Sequence, residues 1–261
     1  MTEERAYTTQ LQAGLGMMNE TLDLLRSVEV GDTPSKLADR IVSSGLFART
    51  TARRARNIVA EMFAPRFLIQ GDQPARILSS LIGSASSTDD LRQIFFLQTA
   101  RAQSVFGDFV KYVYWPRYSA GALAINRAEA ETFIRRALDT GRMQKRWSET
   151  TISRVSGYIL GCCSDYGLLD KAGRDSNKIL RFSIRPKVAL YLAYDLHFLG
   201  ITDKNITHHS DWKLFGLESV EVLSQIKRLS NDGHFLVQSS ADLIQISWKY
   251  KSMEEAVRAI S

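Results

Sequence analysis

The sequence predicts a mainly α protein: a multi-helix scaffold with two, and on a looser reading three, helix-turn-helix or winged-helix units carrying short β-hairpin wings. Three observations carry that expectation. Apolar residues recur at helical spacing along most of the chain, and glycines and prolines punctuate those runs. Short stretches that alternate apolar and polar residues follow directly after helical segments. Apolar residues make up 44% of the 261 and charged residues 24%, the balance of a chain that buries hydrophobic cores.

Leu15 to Leu25 reads as a short amphipathic helix. Gly31-Asp32-Thr33-Pro34 stops it and starts the next, with Thr33 as N-cap and Pro34 at the first helical position. That helix runs to about Ser43 and turns Leu37, Ile41 and Val42 inward; Gly45-Leu46-Phe47 then makes a tight turn. A further helix runs from about Thr50 to Phe63 and is ended by Pro65. Two helices across a glycine-containing turn are the helix-turn-helix layout. On the second helix Ala52, Ala55, Val59, Met62 and Phe63 share one side. Arg49, Arg53 and Asn57 share the other, with Arg54 and Arg56 at its margins. A basic helix face is often merely solvated, but four arginines within eight residues suit phosphates. The start of the second helix is also where such motifs meet DNA.

Asp72 to Ser87 reads as a loose stretch and a candidate linker, after which Thr88 or Asp89 caps a new helix. Leu91 to Tyr114 is long, apolar and aromatic, a core segment closed by Trp115-Pro116. A second unit starts near Asn126. Ala128 to Asp139 reads as helix, Gly141 ends it, and Ser148 caps a helix running to about Ser164. On that helix Ile152, Val155, Ile159 and Cys162 form the apolar stripe, opposite Thr150, Ser153, Arg154, Gly157 and Gly161. Small and hydroxyl-bearing residues leave room for a DNA groove and can bond phosphates or base edges. The same glycines equally suit tight helix–helix packing.

Gly167-Leu168-Leu169 reads as a short strand, Lys171 to Lys178 as a polar loop, and Ile179 to Arg185 as an alternating second strand, together a wing. Lys171, Arg174, Lys178, Arg181, Arg185 and Lys187 stand there against one acid, Asp175, a charge that suits backbone or minor-groove contact. Pro186 opens a helix through Phe198, and Leu217 to Leu229 is helical. Asn231-Asp232-Gly233 is a turn, His234–Gln238 and Leu243–Trp248 a hairpin, and Ser252–Ile260 a closing helix. The expected domains are 1–85, 86–125, 126–200 and 201–261.

A net charge of +6 favours polyanionic partners. Adjacent Cys162 and Cys163 are the only cysteines and read as reduced core residues, which points to the cytoplasm. No signal peptide is visible before Gln10, and Val188 to Gly200, broken by Asp195 and His197, is too short to span a bilayer. Enzyme signatures fail in turn. Gly14-Leu15-Gly16 lacks the rest of a dinucleotide fingerprint, and no phosphate-binding GxxxxGK[ST] loop occurs. Asp195 with His197 reads as a core-edge pair, and His208-His209-Ser210-Asp211 as a polar turn in preference to a metal site. The expectation is a protein without catalytic residues, metal or cofactor.

Several long strings resemble the BrxA family, small components of type I BREX bacteriophage-exclusion systems. They are Tyr7-Thr8-Thr9-Gln10-Leu11, the run TARRARNIVAEMFAP from Thr51 to Pro65, and Tyr114-Trp115-Pro116-Arg117-Tyr118. Further along come Trp147-Ser148-Glu149-Thr150-Thr151 with Arg154-Val155, Gly161-Cys162-Cys163, the stretch Tyr191 to Phe198, and the stretch Asp211 to Leu217. The resemblance covers nearly the whole chain. It implies a cytoplasmic accessory protein acting beside a DNA methyltransferase, an ATPase and a phosphatase-like protein in phage defence, with helix-turn-helix units and DNA binding. It supplies no catalytic residues.

The expected function is non-enzymatic binding of double-stranded DNA, held between the Arg49–Asn57 helix and the 148–187 unit. Arg49, Arg53, Arg54, Arg56, Asn57, Thr150, Ser153, Arg154, Lys171, Arg174 and Lys178 are the candidate contacts. Two rivals are an RNA-binding, antitermination-like factor and a protein-interaction scaffold within the defence complex.

Overall fold

A computed structural model describes residues 6–13, 17–69, 71–82, 87–143, 145–171, 176–240 and 243–260. The chain is mainly helical with two small antiparallel sheets. It divides into two compact units, Met1–Arg76 with Phe95–Phe182, and Ile77–Ile94 with Ser183–Ser261.

The first unit opens with a short 3-10 turn, Gln10–Ala13, and α1 (Met18–Ser27). Thr33 caps α2 (Pro34–Ser44) by accepting a hydrogen bond from the Lys36 N–H, and Gly45 ends it at φ +66°. Residues 45–51 lead to α3 (Ala52–Asn57), a longer connection than the tight turn Gly45–Phe47 predicts. Thr51 caps α3 through the Arg54 N–H at 3.2 Å.

Pro65 does not end this helix. α3 passes through a π turn, Ile58–Phe63, into α4 (Ala64–Phe67), and the Ala64 N–H bonds the Val59 carbonyl, five residues back. A proline inside a helix lacks a donor and crowds the carbonyl four residues earlier; a wider turn immediately upstream relieves both conflicts. α5 (Gln73–Ser79) occupies part of the stretch that composition predicts as loose, while residues 83–86 lie outside the described residues. Ser87 caps α6 (Thr88–Ala102) one residue earlier than expected: its Oγ accepts from the Asp90 N–H, and its own N–H donates to the Asp90 carboxylate.

The long aromatic segment breaks at Gln103. α7 (Ser104–Phe109) follows, and a Cβ on Gly107 would stand 2.8 Å from the Ala100 carbonyl oxygen, so only glycine fits where α7 meets α6. The proline device then recurs. A π turn, Val110–Tyr114, feeds α8 (Trp115–Ser119), which carries Pro116 inside it, so Trp115-Pro116 does not close the segment.

β1 (Ala124–Asn126), which hydrophobic alternation missed because it is three residues long, precedes α9 (Arg127–Arg135) and α10 (Glu149–Asp165). Asn126 and Glu129 form a reciprocal capping box at the start of α9. The chain then forms β2 (Leu169–Lys171) and β3 (Ser176–Ile179). The sheet has the order β1-β3-β2, antiparallel throughout, with Ile125 opposite Asn177 and Asp170 opposite Lys178. The second strand thus ends where the sequence reading starts it, at Ile179. Residues 180–185 still alternate, but as an extended segment that sends Phe182 into the core against Phe96 (ring centroids 5.6 Å apart). Phe96 also meets Phe106 and Tyr166, whose hydroxyl shares a 2.7 Å hydrogen bond with buried Thr99. Each such buried aromatic contributes roughly 1.5–3 kcal/mol.

The second unit contains α11 (Pro186–Phe198), α12 (Asp203–Ile206), a 3-10 turn (Ser210–Phe215), α13 (Ser219–Asn231), the hairpin β4 (Phe235–Ser240) and β5 (Leu243–Trp248), and α14 (Met253–Ile260). Tyr194 is its hub: the ring packs on Phe235, Trp248 and Tyr250, and the hydroxyl donates to the His234 carbonyl at 2.7 Å. Asp203 accepts from the Ile246 N–H and the Trp248 indole, which covers the outer edge of β5. His197 lies flat on Trp248 at 4.3 Å, and burial holds its pKa down. His209 caps the 3-10 turn by accepting from the Asp211 N–H. Among the described residues no helix is long and apolar enough to cross a membrane.

The start of α6 gives this unit a titratable anchor. Burial opposes ionisation of Asp90, but hydrogen bonds from Arg185 and Ser87 outweigh it and hold the carboxyl below its ordinary range. A depressed folded-state pKa contributes stability above the unfolded value, near 4, and that contribution is lost as pH falls through the lower folded value. Unfolding midpoints measured from pH 6 down to pH 2 should therefore fall steeply below about pH 4, and Asp90→Asn should flatten that fall while lowering stability at pH 6.

Candidate nucleic-acid interface

The α3 and α10 surfaces belong to the first unit, while residues 183–187 of the predicted 148–187 unit fall in the second. On α3, Arg53, Arg54 and Arg56 are exposed, as is Arg49 just before the helix, and Asn57 is half-buried. Ala55 points inward, with Ile58, Val59, Met62 and Phe63 continuing the buried side through the π turn. Among the described residues Arg49, Arg53 and Arg54 have no ion pair. Arg56 donates to Asp39 on α2 at 3.1 Å and so ties the two helices together. Arginines in the first turn face the positive end of the helix dipole, an arrangement that costs a few tenths of a kcal/mol each and serves an anion better than it serves the helix.

The second surface is the exposed face of α10. Ser148 caps the helix by accepting from the Thr151 N–H, and its hydroxyl lies 3.0 Å from the Thr151 hydroxyl. Glu149 is held by Arg135 at 2.8 Å, which lowers the Glu149 pKa and raises that of Arg135. One turn on, Thr150, Ser153, Arg154, Gly157 and Tyr158 line a shallow open groove together with Arg127. The Arg127 guanidinium donates to the Ser153 carbonyl at 2.6 Å and lies 3.6 Å from Glu131. A Cβ on Gly157 would meet that guanidinium at 3.7 Å, an ordinary contact, which shows how closely Arg127 lies along α10. Arg154 is exposed and has no ion pair among the described residues. The apolar stripe opposite is fully buried and contains Cys162 and Cys163, whose thiols burial pushes up, to about 12 for Cys162. Neither cysteine is poised as a nucleophile.

Arg127 and Tyr158 were not among the predicted contacts. Arg127 sits 26 residues from its acceptor Ser153 and beside a capping box, so no local periodicity links it to α10. Lys178 is exposed on β3, with Asp170 directly across on β2, a carboxylate just outside the basic count that begins at Lys171. Lys171 lies in β2, and Arg174 lies outside the described residues. Arg185 is tied to Asp90, which removes it from the free charge of this region. No hydrogen bond or ion pair among the described residues joins the α3 group to the α10 group.

Comparison with solved structures finds a similar chain, an uncharacterized protein from Magnetospirillum magneticum. The two align with a TM-score of 0.60 at 13% identity, over 74% of this chain and 94% of that one, a likeness of fold alone. No curated protein matches. The BrxA family model matches residues 5–195, more than half of the sequence and all of the α3 and α10 surfaces. The chain belongs to the BrxA family.

Proposed function

We propose that this chain is a non-enzymatic, double-stranded DNA-binding component of a bacterial BREX phage-defence system, cytoplasmic and acting beside other components of that system. Membership of the BrxA family implies the BREX-associated role. The observation that carries duplex binding is the exposed face of α10, where Arg127, Thr150, Ser153 and Arg154 converge on one open groove. The order β1, α9, α10, β2, β3 with strand order β1-β3-β2 supports reading this segment as a winged helix-turn-helix. α10 then acts as the recognition helix and the paired strands β2 and β3 as the wing. The connection from α9 to α10, residues 136–148, is longer than the tight turn of the simplest such motifs. The α3 arginines supply a second set of phosphate contacts.

A labelled 30-base-pair duplex titrated across a salt series, with RNA of equal length as competitor, tests the proposal. Steep loss of affinity with salt and preference for the DNA duplex are expected, because each neutralised phosphate adds about 0.9 to the slope. No binding even at low salt overturns it. Within a binding protein, Arg127→Ala should weaken the complex about tenfold and lower the slope by about one. An unchanged slope removes Arg127 from the interface and leaves its contact to Ser153 a purely structural one.

A further inference from the structure

The first unit carries a second, larger concavity that the duplex proposal does not use. Its volume is about 820 Å³, within the range of small-molecule sites, and its lining includes Tyr7, Tyr112, Phe133, Arg136 and Arg142. Its walls combine two chemistries. Flat apolar surface comes from three rings: Tyr112 is 61% exposed, and Phe133 is braced by Tyr7 at 5.9 Å and Phe109 at 5.6 Å. Positive charge comes from the guanidinium groups of Arg117, Arg136 and Arg142. Arg117 pairs with Glu129 at 2.9 Å, and behind the lining Asp108 accepts from Arg142 and Lys111 at 3.0 Å each. Arg136 is exposed and has no ion pair among the described residues.

The scaffold behind the groove is fixed. Tyr7 donates its hydroxyl to Asp108 and its backbone N–H to the Arg142 carbonyl, so ring and guanidinium are held in one arrangement. Thr132 and Thr140 donate their hydroxyls to carbonyls of their own turns, leaving oxygen lone pairs that can accept from a ligand. An apolar peptide laid here would bury Arg136 without a counter-charge, an expensive outcome. Inorganic phosphate would leave the exposed Tyr112 ring unused. A flat heterocycle joined to a phosphate answers both features, through ring stacking and a charge-assisted guanidinium–phosphate bond.

We propose that this groove binds a nucleoside monophosphate, either free or as the 5′-terminal nucleotide of a single strand, with the base against Tyr112 and Phe133 and the phosphate at Arg136. The inference stands apart from duplex binding, because it concerns other residues and is read without a duplex. The test is calorimetric titration of the full chain with AMP, adenosine, inorganic phosphate and a tetranucleotide with and without a 5′-phosphate. AMP should bind at least about tenfold more tightly than adenosine or phosphate. Arg136→Glu should weaken AMP about tenfold or more and Tyr112→Ala severalfold, with unchanged circular dichroism and melting temperature. A phosphorylated tetranucleotide that outcompetes AMP assigns the site to strand ends; AMP equal or better assigns it to the free nucleotide. If neither probe binds at millimolar concentration, or if both variants bind as the parent does, the proposal is wrong.

Discussion

Replacing Arg53, Arg54 and Arg154 together with glutamate is expected to abolish duplex binding at physiological salt while leaving the chain folded. All three side chains are exposed, and their removal breaks no ion pair among the described residues. Each reversal exchanges an attraction to phosphate for a repulsion. If all three touch the backbone, the salt slope should fall by about three and affinity by roughly a hundredfold or more. Fluorescence anisotropy across a salt series reads both quantities at once. The triple lysine variant is the matched control: it keeps the charge and should keep most of the affinity, losing only what the planar fork of arginine adds. Affinity and slope that survive the glutamate variant would sink the proposed interface on both helices. Loss through Arg154→Glu alone, with Arg53→Glu and Arg54→Glu silent, would confine the interface to α10.

The largest stability effect is expected at Asp108. This side chain is 5% exposed and accepts from the Tyr7 hydroxyl at 3.1 Å, from Arg142 at 3.0 Å and from Lys111 at 3.0 Å. Burial, and then the neighbouring Asp108 charge, push the Tyr7 phenol far above its ordinary range, so it remains a donor at any ordinary pH. Asp108→Ala removes from Lys111, Arg142 and the Tyr7 phenol the buried acceptor that they share. Breaking a buried pair by deleting one partner costs about 3–5 kcal/mol. Urea unfolding should show that loss, and Tyr7→Phe, which removes one neutral donor, should cost about 1 kcal/mol. If Asp108→Ala proves as mild as Tyr7→Phe, the carboxylate is better hydrated than its burial implies. Because Tyr7 is tied to residues 108 and 142, the alanine variant should also make the described segment around Tyr7 more open to proteolysis.

Local rules made much of this architecture legible. Thr33-Pro34 and Gly45 delimit α2, Ser148 caps α10, Pro186 opens α11, and the Asn231-Asp232-Gly233 turn precedes a hairpin, because each signal acts within one turn of chain. The errors share a cause too. Pro65 and Pro116 were expected to stop helices, a rule that assumes regular α geometry upstream, and the π turns before them suspend it. Residues 180–185 alternate like a strand, yet Phe182 faces inward to fill a core and not to pair a backbone. In the candidate interface, the exposed face of α10 followed from its 3.6-residue period. Arg127 did not, since its place beside Ser153 depends on how α9 packs against α10. The grouping of Tyr7 with residues 108, 133 and 142 was equally out of reach, because only tertiary contact assembles it.

The π turn at Ile58–Phe63 also fixes an azimuth. One residue more than an ordinary turn amounts to about 100° of rotation in a helix with 3.6 residues per turn. Arg53 and Arg54 lie before that added rotation, Phe63 closes it and Phe67 lies after it. The direction in which the guanidinium groups look and the direction in which the phenylalanines anchor are therefore set by separate angular phases. The bulge separates them, so the basic side of α3 and the buried side of α4 do not follow one continuous helical stripe.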